Sequence, residues 1–210
     1  MIDVAMAPVT VEMLRSALEK TTLVRVPATI KDYDELSDFH EFSLHFVQNQ
    51  IVATMSYCTE SHELVVANLV RLLGNAFEEA KVMDSNRPVF VAATNDIFEP
   101  DIQVVFGETD LHRYGRVKTA TKNPVVLVEV HSKTTKDFDL DEKLEAYKTI
   151  PTLQHIVFAD QNKPRISIYT RTKKPNEWLN ADYSDMSLSV RILGKNFPLS
   201  KIYSKVIFNV

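Results

Sequence analysis

The sequence predicts one domain of mixed helix and strand, an α/β (α+β) fold, and three stretches of the chain lead to this prediction. Residues 123–148 join a β-branched run to a polar loop and then to a helical pattern. Residues 61–81 carry apolar side chains at helical spacing over most of their length. Residues 165–170 alternate apolar and polar side chains, as a half-exposed antiparallel strand does. These patterns predict helices packed against a sheet with at least one antiparallel strand.

The stretch 123–148 places an acid next to a lysine-bearing helix. A nearly continuous β-branched run such as residues 125–130 is typical of a strand that is buried on both faces. Glu129 interrupts this run, and a carboxylate there is costly unless a cation or a hydrogen-bond donor meets it. Asp139, Lys143 and Tyr147 follow at i, i+4 and i+8, so they share a helix face or nearly so. Chemistry in α/β folds is commonly found at such strand ends.

The other elements are predicted from the same kinds of pattern. We expect helices at residues 10–19, with Thr10 as N-cap, and at 30–39. We expect a hairpin of residues 41–47 and 50–55 about Gln48 and Asn49. Strands are predicted at 88–93, 102–106 and 153–159, connecting chain at 24–27, a polar loop at 107–122, and short strands with a terminal helix or coil after residue 171.

Length and composition are those of an ordinary soluble domain. The chain has 210 residues, of which 45% are hydrophobic and 25% charged. No apolar run reaches the roughly 18 residues that a membrane span needs, and the first residues do not resemble a secretory signal. The single Cys58 excludes an intramolecular disulfide and a zinc site built on cysteines. We therefore expect a cytoplasmic protein with no membrane partner.

The net charge of −4 argues against non-specific coating of nucleic acid, which depends on many contacts from Lys and Arg to phosphate. It does not exclude an enzyme with a local basic groove. The loop 107–122 contains Arg113, Arg116, Lys118 and Lys122, which form either a solvated face or a contact with a nucleic-acid backbone. The four glycines form no phosphate-binding motif.

Three acids, one lysine and one histidine form the candidate catalytic site. Asp101 begins a strand, Glu129 lies in the next strong strand, and Glu41 begins the early hairpin. Two carboxylates from adjacent strands, met by Lys143 from a helix, can cradle Mg²⁺ (or Mn²⁺) and a phosphodiester, because Mg²⁺ prefers oxygen ligands and usually takes one or two carboxylates. The lysine adds electrostatic stabilisation. His131, beside the acid, is suited to proton transfer near neutral pH.

The same residues carry a resemblance to a known family. The pattern is an acid-Pro-acid triplet before an apolar strand, then an acidic strand and polar and helical positions: Glu99, Pro100, Asp101, Glu129, Ser132, Thr134, Asp139, Lys143 and Tyr147. An apolar strand ending in Asp160, the hairpin at Glu41, and His62 at the start of the long helix follow the expected order. Over residues 30–171 the sequence resembles the Uma-type restriction endonucleases of the PD-(D/E)XK nuclease superfamily.

The resemblance implies a restriction-endonuclease-like core, a mixed sheet flanked by helices, here with added antiparallel strands, and metal-dependent hydrolysis of phosphodiesters. Asp101 and Glu129 would be the metal ligands, and Glu41 an optional outer ligand. Many superfamily members place a Lys two residues after the second acid, where this sequence has His131. Lys143 would replace that lysine from the helix. A second departure is Thr149-Ile150-Pro151, where the pattern usually carries a Gly.

Structural explanations exist for each of these residues. Asp101 fits a residue that caps a turn, Glu129 fits the partner of a core cation, and Lys143 fits a surface partner of Asp139 worth about 0.3–0.5 kcal/mol. Glu41 fits a solvated strand residue. His62 fits a residue that only starts a helix, and Tyr147 one that only packs in the core.

Three functions are consistent with these residues. The first is a Mg²⁺-dependent endonuclease acting on DNA, with Asp101 and Glu129 holding the metal and Lys143 stabilising charge. The second is a non-catalytic module of the same fold that binds nucleic acid or a protein, and His131 favours it. The third is a hydrolase of a small phosphorylated substrate. The choice between DNA and RNA stays open, and the apolar tail 205–210 serves either a homodimer contact or the core.

Overall fold

The computed structural model of the protein describes residues 8–55, 59–84, 87–131 and 138–208. Cys58, Ser132 and Thr134 lie outside these residues, and so does the side chain of Asp139.

The helices begin at threonine caps in the first part of the chain. They are α1 (Val11–Leu18), α2 (Ile30–Leu36), α3 (Glu60–Ala76), α4 (Leu144–Lys148) and α5 (Leu199–Ile202). Thr10, Thr29 and Thr59 each accept a hydrogen bond from a backbone N–H of the first turn, which satisfies one of the donors that a helix start leaves free. A single π-helical turn, Asp139–Lys143, runs directly into α4. Thr10 is confirmed as the cap of α1.

Helix α3 is shorter than the sequence predicts. It ends at Ala76, and Phe77 leaves the helical conformation with φ −131° and ψ 71°. Residues that continue the apolar spacing, Phe77 and Ala80, still pack against the same core, but Ala80 does so from a strand. Because residues after the helix pack against the same core, the apolar spacing in the sequence continues past Ala76, where the helix ends.

The strands are β1 (Val24–Pro27), β2 (Phe42–Val47), β3 (Gln50–Met55), β4 (Ala80–Asp84), β5 (Val89–Val91), β6 (Asp96–Phe98), β7 (Ile102–Phe106), β8 (Leu111–Arg113), β9 (Thr119–Thr121), β10 (Val126–His131), β11 (His155–Asp160), β12 (Arg165–Arg171), β13 (Trp178–Tyr183), β14 (Ser189–Ile192) and β15 (Lys195–Pro198). The β2–β3 hairpin is confirmed, with Gln48 and Asn49 both at positive φ as its tight turn requires.

The described strands form two large mixed sheets and one small one. One sheet has the order β1-β3-β2-β6-β5-β9-β8, the second β13-β12-β11-β10-β7-β4, and β14 pairs with β15. In the second sheet β10 pairs in parallel with β11 and antiparallel with β7. The predicted class of a mixed sheet flanked by helices with added antiparallel strands is confirmed.

Two segments that were predicted to be irregular contain strands. Residues 24–27, expected to be connecting chain, form β1 and pair with β3. The loop 107–122, expected to lack regular structure, contains the β8–β9 hairpin. Both lie at or next to a sheet edge. Backbone hydrogen bonds are enough to form a strand there, and the side chains do not show the apolar pattern of a buried strand.

Three apolar clusters hold the domain together. One joins α3, β7, β10 and the C-terminal segment, one joins α1 and α2 to the first sheet, and one lies between both sheets and α4. Val206 and Phe208 pack against the first of these clusters, so this part of the tail covers the core. Within the described residues there is no helix with both the length and the apolar character of a membrane span.

Candidate active site

The site is built on the neighbouring strands β7 and β10. Their antiparallel register pairs Ile102 with Val128, and its continuation by one residue sets Asp101 opposite Glu129. Residues that face each other across an antiparallel pair project to the same side of the sheet. The carboxylate of Asp101 also accepts a hydrogen bond from the backbone N–H of Val130, over 2.6 Å between Oδ2 and N. The two acids predicted from the sequence therefore lie next to each other.

Glu129 is held by two side chains from the helical segment. Its side chain is almost fully buried, and the Lys143 ammonium donates to its Oε2 over 3.0 Å while the Tyr147 hydroxyl donates to its Oε1 over 2.7 Å. A buried carboxylate needs such partners, because removal from water otherwise disfavours its charge. Lys143 is the last residue of the π-helical turn, a conformation that is often found at functional sites. Lys143 and Tyr147 thus share one face, as the spacing predicts.

Asp101 is partly exposed and has its own neighbour from α3. The imidazole Nε2 of His62 lies 3.3 Å from Oδ1 of Asp101, and both side chains are less than one-fifth exposed. His62 stands in the first turn of α3, which Thr59 caps by accepting from the His62 backbone N–H. The cap therefore fixes the part of the helix from which the imidazole reaches the acid.

His131 and Glu41 occupy different surroundings. His131 is buried, follows Glu129 by two residues on the same strand and the same face, and its ring centroid lies 6.2 Å from that of Phe158. Glu41 precedes β2 and forms an ion pair with Arg15, with 2.8 Å between Oε1 and Nη2. The structure thus brings Asp101, Glu129 and Lys143 together, whereas Glu41 contacts Arg15 of α1.

A further acid, Glu99, lies close to the site. It precedes Asp101 by two residues, and its Oε1 accepts from the hydroxyl of Tyr33 over 3.2 Å. Burial raises the pKa of Glu99 to about 7, although hydrogen bonds from Tyr33 and the Leu44 backbone and the charge of Lys143 oppose the rise. Its backbone N–H donates to Nδ1 of His45, whose pKa burial lowers well below the usual value.

The pair of carboxylates fits a divalent magnesium or manganese ion. Among the described residues, no three His, Cys, Asp or Glu side chains are grouped to bind a metal, and the two carboxylates that the site offers are those of Asp101 and Glu129. That number suits Mg²⁺, which usually keeps waters and takes the rest of its ligands from phosphate. A carboxylate oxygen has two acceptor sites, so in general it can accept a hydrogen bond and also contact an ion. Lys143 supplies a positive charge beside them.

Sequence reasoning missed three features of this site. Tyr147 was expected to serve the core, yet its hydroxyl bonds Glu129 while its ring packs against Phe98. Its spacing from Lys143 carried that signal. His62 was treated as a helix-start residue, and no local pattern could reveal its contact with Asp101, which depends on how α3 packs. Glu99 was seen only as part of the triplet before β7, although its position two residues from Asp101 was a usable signal.

Comparison with known proteins identifies the family of the chain. Residues 30–200 match the model of the Uma2 family, described as "putative restriction endonuclease". A Synechocystis protein, the uncharacterised protein sll1609, is 27% identical over 163 residues, which cover 77% of this chain and 85% of that protein.

A solved structure supports the fold. The crystal structure of a protein from Anabaena variabilis, titled a putative nuclease belonging to DUF820, superposes with a TM-score of 0.68 at 12% identity, over 86% of this chain and all of the other. The family match spans most of the domain, and it includes every residue of the candidate site. The chain therefore belongs to the Uma2 family of restriction-endonuclease-like proteins.

Proposed function

We propose that the protein is a Mg²⁺- or Mn²⁺-dependent endonuclease that hydrolyses phosphodiester bonds in DNA. The observation that carries this proposal is the arrangement around Glu129, which lies 3.0 Å from the ammonium of Lys143 and is followed by Val130, whose backbone N–H donates to the carboxylate of Asp101. Membership of a family described as restriction endonucleases supports the general class of reaction. The metal and the DNA substrate are our proposal.

In this reaction a water oxygen attacks phosphorus, the bond from phosphorus to one ester oxygen breaks, and that oxygen leaves with a proton. Asp101 and Glu129 would hold the ion, which supplies charge neutralisation at the phosphate and activation of water. Lys143 orients Glu129 through its contact with Oε2, and its charge would also stabilise negative charge that develops on the phosphate oxygens. Tyr147 fixes the other oxygen of Glu129.

The roles of the remaining predicted residues are extensions of this proposal. His131 lies two residues beyond Glu129 on the same face of β10, and we assign it to proton transfer near neutral pH. The predicted outer-ligand role of Glu41 stays a prediction, since its carboxylate is paired with Arg15.

The test combines calorimetry with Mn²⁺ and incubation of DNA with Mg²⁺ or Mn²⁺. The wild-type protein is expected to bind the ion and to nick or cut DNA. The variants Asp101→Asn and Glu129→Gln should lose more than about 100-fold in metal affinity and in cleavage, because loss of a metal ligand exceeds the 10- to 100-fold effect of a supporting residue. Thermal unfolding verifies that both variants remain folded.

Glu145→Gln is the matched control, since Glu145 also pairs with a lysine, Lys148, over 2.7 Å, but on the exposed side of α4. It should bind metal and cleave like the wild type. Cleavage that survives in both site variants would reject the assignment. Absence of metal binding at millimolar concentrations would favour the non-catalytic module, the function that His131 at the usual lysine position also favours.

A further inference from the structure

A cavity of about 300 Å³ opens beside the candidate active site. Aromatic residues Phe39, Phe42 and Tyr114 line it together with the charged residues Arg87, Glu99 and Lys118. Its volume lies at the lower end of the range for ligand pockets, and its lining combines flat apolar surfaces with a few polar groups, as such pockets usually do. Phe39 is 47% exposed at the rim.

The cavity adjoins the acids through the chain itself. Glu99 lines it, and Asp101 follows two residues later, so their Cα atoms are no more than about 7 Å apart. The charge of Lys143, which contacts Glu129, also acts on Glu99. The wall of the cavity therefore comes within two residues of Asp101 along the chain.

Arg87, which lines the cavity, has a buried polar atom with unused hydrogen-bonding capacity. In the part of the chain that the structure describes, Nε of Arg87, Oε1 of Gln103 and Oγ1 of Thr121 are buried without a hydrogen-bond partner. Gln103 and Thr121 do not line the cavity, but they donate to the carbonyls of Arg87 and Pro88, which do. Unsatisfied buried polar atoms are rare in native proteins and need an explanation, so the Nε of Arg87 is the one that bears on the cavity.

The hairpin beside the cavity carries positive charge. Tyr114 and Lys118, which line the cavity, belong to the β8–β9 segment, and Arg113 and Arg116 of the same segment are exposed. Lys118 is already paired with Asp34 and Asp38, so the exposed arginines are the better candidates for contact with phosphate. A flat pocket next to a basic strip is the arrangement used to bind unpaired nucleic acid.

We propose that this cavity receives an unpaired nucleobase of the nucleic-acid substrate, next to the phosphate that is cut. This inference rests on the proposed nuclease function and narrows the substrate to nucleic acid with an unstacked nucleotide at the site of cleavage. The aromatic rings stack on the base, while Arg87 and Glu99 hydrogen-bond with its edge. A fully paired duplex offers no such base unless it is first unpaired, which costs free energy.

The experiment measures binding by fluorescence anisotropy, with Ca²⁺ in place of Mg²⁺. Three DNA duplexes of the same sequence are compared: one fully paired, one with a single extrahelical 2-aminopurine, and one with an abasic residue in its place. We expect the duplex with the extra base to bind about tenfold more tightly than the other two, and the 2-aminopurine fluorescence to change on binding. Phe39→Ala should bring this ratio close to one.

The matched control is Leu179→Ala, which removes an apolar side chain that is 63% exposed on the edge strand of the other sheet and should keep the tenfold ratio. Because Phe39 is half-exposed, its truncation to Ala should leave the fold intact. Val117→Ser, at an 80% exposed position of the rim, gives a second test of the same affinity ratio. Equal affinities for the three duplexes, or an unchanged ratio in Phe39→Ala, overturn the proposal.

If a free nucleoside monophosphate competes at the same concentration as the oligonucleotide, the claim that the bound base belongs to a nucleic acid is rejected. The two proposals can fail separately. Retained cleavage without a preference for the unpaired base counts against the pocket alone. Retained preference without cleavage or metal binding counts against the proposed chemistry alone.

Discussion

The ammonium of Lys143 and the carboxylate of Glu129 form an ion pair with 3.0 Å between Nζ and Oε2, and neither side chain is more than 5% exposed. In such surroundings the loss of one partner leaves an uncompensated charge out of water. Replacement of both partners by neutral groups avoids that penalty.

Lys143→Met should therefore lower the free energy of unfolding by about 3–5 kcal/mol. The double variant Glu129→Gln/Lys143→Met should recover most of that loss, yet neither bind Mn²⁺ nor cleave DNA. Chemical denaturation and calorimetry measure both properties. A double variant as unstable as Lys143→Met would show that the instability does not come from the stranded Glu129 charge.

Tyr147→Phe removes one hydrogen bond to the Glu129 carboxylate and retains the ring. We expect it to lower the free energy of unfolding by about 1–3 kcal/mol, since the bond is to a charged group, and to weaken Mn²⁺ binding about 10- to 100-fold. Tyr203→Phe is the control, because its buried hydroxyl also donates one bond, over 2.6 Å to the carbonyl of Arg165. It should lose about 1 kcal/mol and bind Mn²⁺ normally. Equal metal affinity in both variants would contradict a positioning role for Tyr147.

Glu99 predicts a distinctive pH dependence. Its pKa is about 7 in the folded protein, against an ordinary value of 4.5, so between these values the folded protein binds more protons than the unfolded chain. The contribution of Glu99 to stability is therefore complete below about pH 4.5 and is lost as the pH rises through 7. The shift corresponds to at most about 3 kcal/mol.

Glu99→Gln should become more stable relative to the wild type as the pH rises from 5 to 8. The comparison must be made as a difference between the two proteins, because His45 acts in the opposite direction. The lowered pKa of His45 makes stability rise with pH up to about 6.5. Urea denaturation at several pH values measures the difference, and a constant difference would rule out titration of Glu99 in this range.

Glu41→Gln tests the predicted outer-ligand role of Glu41. Its pairing with Arg15 is partly exposed, so the free energy of unfolding should change by less than about 1 kcal/mol. If Glu41 is an outer ligand that does not contact the ion directly, the affinity for Mn²⁺ should fall by no more than about 10-fold. A loss as large as that of Asp101→Asn would make Glu41 a direct ligand.

The strand that carries Glu129 was predictable because its physics is local. A β-branched run indicates a buried strand, and an acid within such a strand indicates that a cation or a hydrogen-bond donor lies next to it. The spacing of Lys143 and Tyr147 then supplied that partner from a helix. The register that sets Asp101 opposite Glu129 was not available from the sequence, since it depends on how β7 and β10 pair.

Other parts of the site depend on long-range packing. His62 reaches Asp101 only because α3 lies across the sheet. Glu99 has a raised pKa only because the packed chain buries its carboxylate, against the hydrogen bonds from Tyr33 and the Leu44 backbone. The β8–β9 hairpin escaped prediction for a different reason. Its strands are three residues long and rich in polar side chains, so composition resembles that of a loop.

Pro100 stands between Glu99 and Asp101, at the point where the chain passes from the first sheet into the second. Its ring fixes the backbone φ at this position, which restricts how the chain can bend between the two acids. The distance between the cavity and the paired acids therefore depends on the backbone of one residue. A movement of one sheet against the other would change that distance, and with it the distance from a bound base to the phosphodiester bond that is cut.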